Sequence, residues 1–219
     1  MQDAQLAQVN FPVALKSPDD LRSSESRPGS LKTAPLAAPR VRNAVVVPYI
    51  LSKMSKYHIA QVNIGRVRAP MEDPIMAGFV NRLVEINALA DGSPGFVWRL
   101  QTPAGDATYL RPYDDDRILI NMSVWESVEA LRRYVYQTAH VELLRERQQW
   151  FEQFSGAYTA LWWVPAGHIP GIDEARKRLQ HLQEHGPTQF AFTFKTVFQP
   201  DEEYQRAIDW SSFVPCPAS

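Results

Sequence analysis

Ser123-Val-Trp-Glu-Ser-Val-Glu-Ala-Leu-Arg-Arg-Tyr-Val-Tyr-Gln-Thr-Ala-His140 is the stretch on which the fold turns. It reads as a strand ending in Trp125, an N-cap at Ser127, and an amphipathic helix. Glu129 suits the positive end of the helix dipole, and Val128, Leu131 and Val135 recur on one face. Further on, Leu161-Trp-Trp-Val-Pro-Ala-Gly-His168 reads as another strand, with paired tryptophans and a Pro-Gly turn at its exit. Neighbouring residues of a strand point to opposite faces, so one of Trp162 and Trp163 packs under helices and the other faces a pocket or a partner.

Outward from this stretch the remaining elements fall into place. A strand is expected over 57–66. Asp73-Pro74 then opens a helix, with Asp as cap, Pro at the first position, and Met76, Phe79, Leu83, Ile86 and Ala90 on one side. Gly92-Ser-Pro-Gly95 stops it, and strands follow over 96–101 and 117–125. After the Ser127 helix comes a helical run over 141–154, a strand over 158–164 and a helix over 173–185 that Gly186-Pro187 ends. A fifth strand is expected over 190–198, and residues 199–219 read as a flexible acidic tail. The order β-α-β-β-α-β, with an added C-terminal helix and strand, predicts a ferredoxin-like α+β domain over 54–198. Such a sheet packs its helices on one face, and the other face needs a cover, commonly a second subunit.

Asn87-Ala-Leu-Ala-Asp-Gly-Ser-Pro-Gly-Phe-Val-Trp-Arg99, the 123–131 segment, Arg147-Gln-Gln-Trp-Phe151 and Trp162-Trp-Val-Pro-Ala-Gly-His-Ile-Pro170 together resemble a bacterial domain-of-unknown-function family. That family is placed among the dimeric α+β barrels, beside the antibiotic-biosynthesis monooxygenases. The resemblance spans about residues 56–197. It implies a ferredoxin-like subunit, a back-to-back homodimer, and relatives that include cofactor-independent oxygenases, haem-using enzymes and isomerase-like proteins. It carries over no catalytic residue, because that superfamily has no single catalytic motif.

Composition narrows the function classes. Among 219 residues, 23 Lys+Arg nearly cancel 24 Asp+Glu, which argues against a nucleic-acid footprint. One cysteine leaves no intrachain disulfide and no cysteine cluster for zinc, and a cytoplasmic location is expected. The longest apolar run is far too short to cross a bilayer, so no membrane association is expected. Residues 1–53 hold six of the 17 prolines and read as a disordered leader, with Met54 a candidate native start. Leu6-Ala-Gln-Val-Asn-Phe11 echoes Ile59-Ala-Gln-Val-Asn-Ile64, but two copies do not make a repeat array.

Strand alternation points to a site. Ile118, Ile120, Met122 and Val124 form an apolar face, expected to meet the helices, while Leu119, Asn121, Ser123 and Trp125 form the other. Gln61 and Asn63 on the first strand, and Arg99 and Gln101 on the second, belong with the latter. Gln61, Asn63, Asn121, Ser123, Trp125 and Trp163 are the expected substrate-binding residues, clustered on the helix-free face as a cavity for a small organic ligand. A solvated open sheet face is the plainer alternative. His140 and Arg99 are the candidate catalytic groups, one moving a proton and one stabilising charge. His168 is a candidate cofactor ligand only if haem binds; otherwise no cofactor, and no metal, is expected. His181 and His185 lack the Glu of a metalloprotease motif. The expected activity is of cofactor-independent monooxygenase or isomerase type. A non-catalytic dimeric binding module and a haem-binding monooxygenase-like protein are the alternatives.

Overall fold

The structure is a computed structural model that describes residues 55–216. The leader, the start at Met54 and the echo at residues 6–11 lie outside the described residues. Strands β1 (Tyr57–Arg66), β2 (Phe96–Arg99), β3 (Ile118–Trp125) and β4 (Thr159–Pro165) form one antiparallel sheet in the order β2-β3-β1-β4. That order, in a βαββαβ chain, is the ferredoxin-like fold.

The helices begin where their caps are. The Asp73 carboxylate accepts from the Ile75 backbone N–H at 2.9 Å, with Pro74 behind it. The helix expected to continue unbroken is instead divided into a 3-10 turn (Pro74–Met76), α1 (Ala77–Val80) and α2 (Leu83–Asp91). Tertiary contacts mark the break: the Trp150 ring lies against Gly78, and Arg82 reaches Glu146 at 2.7 Å. Helix α3 (Val128–Gln137) is capped by Ser127, whose Oγ accepts from Ala130 N–H at 3.1 Å. The helical run expected over 141–154 is shorter, as α4 (His140–Glu146) and a 3-10 turn (Arg147–Gln149). Helix α5 (Ile172–His185) ends at Gly186, whose φ of 74° lies in the region glycine favours.

The assignment of faces needs correction. The apolar face, with Val62, Ile120, Met122 and Val124, does not meet the helices of the βαββαβ unit. It packs on Ala175, Leu179 and Leu182 of α5 and on the chain between β2 and β3. The polar-bearing face is the one under α2 and α3, where Ile59, Trp125, Leu161 and Trp163 meet Ala90, Val128 and Leu131. Both sheet faces are therefore covered within one chain, and the cover expected from a second subunit is α5. The adjacent indoles of Trp162 and Trp163 are 0% and 7% exposed, one in each layer. A fully buried large apolar side chain contributes about 1.5–3 kcal/mol, so two-sided burial of β4 anchors both layers.

Two C-terminal expectations also change. Residues 190–198 make no strand. Phe192 forms one antiparallel bridge to Leu161, with hydrogen bonds of 2.8 Å each way. Thr193 Oγ1 then accepts from the N–H groups of Lys195 and Thr196, and this turn carries the chain off the β4 edge. The stretch after 199 is not a loose tail. It holds α6 (Glu202–Ala207) and a 3-10 turn (Trp210–Ser212), and it buries Gln205 and Cys216. Gly171 makes this possible, because a Cβ there would run into the Val214 carbonyl.

Candidate functional site

Register places the sheet residues in rows. Arg99, Ser123, Gln61 and Leu161 face one another across β2, β3, β1 and β4, and Asn121, Asn63 and Thr159 form the next row. All lie on the side of α2 and α3, so the sequence-predicted polar residues do share a face. It is the helix-covered face, not the open one. The apolar packing there splits into two clusters. One centres on Trp125, Trp163 and Leu131, the other on Leu119, Phe79 and Trp150. Gln61, Asn63, Asn121 and Ser123 belong to neither and form a polar band between them. Asn121 is exposed although β3 is an inner strand beneath helices, so the band reaches solvent at that end.

The inner end of the band is a closed network. Trp125 Nε1 donates to Ser123 Oγ at 2.9 Å, and Ser123 Oγ donates to Gln61 Oε1 at 3.0 Å. Trp125 is fully buried, stacked on Tyr134 at 5.0 Å and met edge-on by Phe96 at 5.3 Å. It backs the band rather than lining an open cavity. Trp163 is likewise enclosed, with Nε1 donating to the Phe198 carbonyl at 2.7 Å. The Gln61 amide nitrogen is buried without a partner.

Arg99 sits at the β2 end of the same row. Its guanidinium takes both oxygens of Asp91 on α2, at 2.8 and 3.2 Å, and donates to the Gly105 carbonyl at 2.8 Å. These partners surround a groove of about 300 Å³. Leu83, Asn87 and Asp91, four residues apart on α2, form one wall, and residues 104–106 the other. A free cation is not what the groove offers, because Asp91 matches the charge of Arg99. Sequence reasoning missed Asp91 and Asn87; their spacing of four beside Leu83 was the available signal.

His140 adjoins this layer through Tyr134, ring to ring at 4.9 Å, and its Nδ1 lies 3.4 Å from the Val135 carbonyl. Burial lowers its pKa, while the Val135 carbonyl pulls the other way. The imidazole is thereby kept neutral, the state a general base needs. Burial pushes the Tyr134 phenol up.

His168 lies elsewhere. Its Nε2 is 2.8 Å from Glu174 Oε2, and its ring meets Trp210 edge-on at 4.8 Å. Glu174, on α5, also accepts from Trp162 Nε1 at 2.8 Å and lies 3.5 Å from Arg178. His168 is thus held in the α5 layer, behind the sheet from the polar band. Its Nε2 is committed to the Glu174 carboxylate, so that nitrogen does not face the band. Among the described residues, no three His, Cys, Asp or Glu gather to hold a metal ion, and no helix is long and apolar enough to cross a membrane.

Several solved structures are similar to part of this chain. SnoaB, a cofactor-independent oxygenase from Streptomyces nogalater, is 20% identical over 51% of this chain and 95% of its own, with a TM-score of 0.35. A conserved protein from Methanosarcina mazei is 12% identical over 50% of this chain and 93% of its own, with a TM-score of 0.37. PA3566 from Pseudomonas aeruginosa is 13% identical over 51% and 95%, with a TM-score of 0.35. No curated protein matches the chain. A family model does match, over residues 58–208, which include β1 from its second residue, β2 to β4 and α1 to α6, and the chain belongs to that family, the domain of unknown function DUF3291.

Proposed function

We propose that this domain binds a small uncharged organic molecule in the groove between α2 and the 99–106 turn, beside Arg99 at the β2 edge of the sheet. Its chemistry there is cofactor-independent, of monooxygenase or isomerase type. One observation carries the reading: the Arg99 side chain is only 14% exposed, and it faces the groove with its charge already matched by Asp91. Leu83, Val84, Ala88 and Ala104 supply apolar walls, and Asn87 a polar handle. Asp106 adds a carboxylate, partly satisfied by Thr108, so the groove disfavours anions. His140 does not line the groove; it packs on Tyr134 in the helix layer above the sheet.

The test is a ligand titration followed by backbone amide shifts. Neutral aromatic ketones and phenols should move Asn87, Arg99 and Gly105 saturably, and matched carboxylates should not. Preference for the carboxylates, or no movement with any of them, overturns the reading.

A second reading, a non-catalytic binding module, is favoured by Ser123. Its hydroxyl is engaged by Gln61 and Trp125, with no histidine as activating base. Oxygen uptake and product formation with the molecules that bind separate the two. A homodimer would use a surface other than the apolar sheet face, which α5 covers. Light scattering at micromolar concentration tests whether it forms.

A further inference from the structure

We infer that Asp106 Oδ2 selects the molecule bound in the groove, which must present a hydrogen-bond donor there, the hydroxyl of a phenol or an enol. This inference rests on the proposed groove site and names the chemistry of its occupant.

Asp106 is held in place by its own turn. Its backbone carbonyl accepts from Thr102 N–H at 2.7 Å and from Thr102 Oγ1 at 2.9 Å. Its Oδ1 accepts from Thr108 N–H at 2.8 Å and from Thr108 Oγ1 at 2.6 Å, and Thr108 is only 8% exposed. These bonds fix the carboxylate in rotation as well as in position, with Oδ1 turned onto a buried residue. Oδ2 makes no hydrogen bond or ion pair among the described residues, yet it is not enclosed by protein. It is an accessible acceptor on a residue that lines the groove of about 300 Å³.

The other polar groups of the lining are more fully engaged. Arg99 gives three of its five N–H groups to Asp91 and to the Gly105 carbonyl. The Asn87 amide nitrogen leans on the same carbonyl at 3.4 Å, which leaves Asn87 Oδ1 as a second open acceptor. Asp91 and Arg99 match each other, so the charge left unmatched in the lining is that of Asp106. Hydrogen bonds to an ionised group are about twice as strong as neutral ones, so this carboxylate outweighs the Asn87 amide in choosing a ligand. A hydroxyl hydrogen satisfies it. An ether or ketone oxygen in the same place brings one acceptor against another. A cation would meet the Arg99 guanidinium in the same groove, which favours a neutral donor over an ammonium.

The experiment uses the full chain and a matched pair of probes, 2-naphthol and 2-methoxynaphthalene, which differ by a methyl group on the oxygen. Backbone amides of Asn87, Arg99, Gly105 and Asp106 are followed by NMR during titration. Naphthol should bind about tenfold more tightly than its ether, the gain expected from one hydrogen bond to a charged acceptor. Asp106→Asn gives the preference a directional test. Thr108 N–H only donates, so the new amide keeps its oxygen toward Thr108 and turns its NH2 to the groove. In that variant the two probes should bind within about threefold of each other, or the ether more tightly. Equal binding of the two probes to the wild type overturns the inference and leaves the site standing. So does a naphthol preference that survives Asp106→Asn, because the methyl group rather than the hydrogen bond then explains it. A 2-naphthylmethylammonium probe that binds more tightly than naphthol overturns the hydroxyl as well. If no probe moves any of these amides, the inference and the site reading fall together. Backbone spectra report the fold of Asp106→Asn, and the wild-type comparison decides without the variant if it is perturbed.

Discussion

Replacing Glu174 by glutamine should be among the most damaging single-atom changes available in this chain. The carboxylate is fully buried, bonds two groups, Trp162 Nε1 at 2.8 Å and His168 Nε2 at 2.8 Å, and forms an ion pair with Arg178 Nη2 at 3.5 Å. Arg178 is itself only 1% exposed, donates to the Phe190 carbonyl at 2.7 Å, and packs among the rings of Phe190, Trp162, Trp210 and Phe213. Burial lowers the Arg178 pKa, and Glu174 opposes that. Glu174→Gln removes the opposing charge and turns an NH2 group toward one former donor. Leaving one member of a buried pair uncompensated costs about 3–5 kcal/mol. For a domain of this size that corresponds to a fall in melting temperature of about 6–20 °C. Urea unfolding followed by tryptophan fluorescence at pH 7.5 measures it. The coupling has its own signature: Glu174→Gln combined with Arg178→Met should cost clearly less than the sum of the two single changes. A loss below about 1 kcal/mol for Glu174→Gln, or strict additivity in the double variant, would refute the reasoning.

Other changes test other layers. Gly171→Ala should cost about 1–3 kcal/mol by overpacking, because its methyl meets the Val214 carbonyl, and limited proteolysis should show residues 199–216 cut sooner than in the wild type. Equal protease resistance in the two proteins would contradict the close packing at Gly171. His140 is disfavoured in its protonated form by burial, so the unfolded chain binds the proton more readily. Its contribution is present above the ordinary histidine value of about 6.5 and is lost as pH falls below it. His140→Gln should flatten the stability profile in that range, and denaturation midpoints between about pH 5 and 7.5 check it.

What could be read in the sequence divides along a physical line. Alternation says which residues share a face, and register kept Gln61 with Ser123 and Asn63 with Asn121 as expected. It does not say which layer covers that face. The most apolar face was assigned to the helices of the βαββαβ unit, yet α5 covers it, because a chain that buries both faces gives its driest side to whichever layer fits. Caps were equally legible at Asp73 and Ser127, since they are local. The split before α2 was not, since it is marked by Trp150 and Glu146, far along the chain. The final stretch was misread through its charge. Its acidic residues mask Trp210, Phe213 and Cys216, which dock where Arg178 provides a cation for the rings. In the site, residue types were visible and commitments were not. No pattern revealed that Arg99 is held by Asp91, or that His168 is held by Glu174 behind the sheet.

Trp162 and Trp163 give the molecule a pair of NMR reporters at adjacent positions. Trp162 donates to a carboxylate beneath α5, and Trp163 to a backbone carbonyl beside Phe192, across the thickness of the sheet. Their indole N–H groups differ in partner charge, so their nitrogen resonances should be resolved from each other. Following each through denaturant would show whether the α5 layer and the α2–α3 layer let go of the sheet together or in turn.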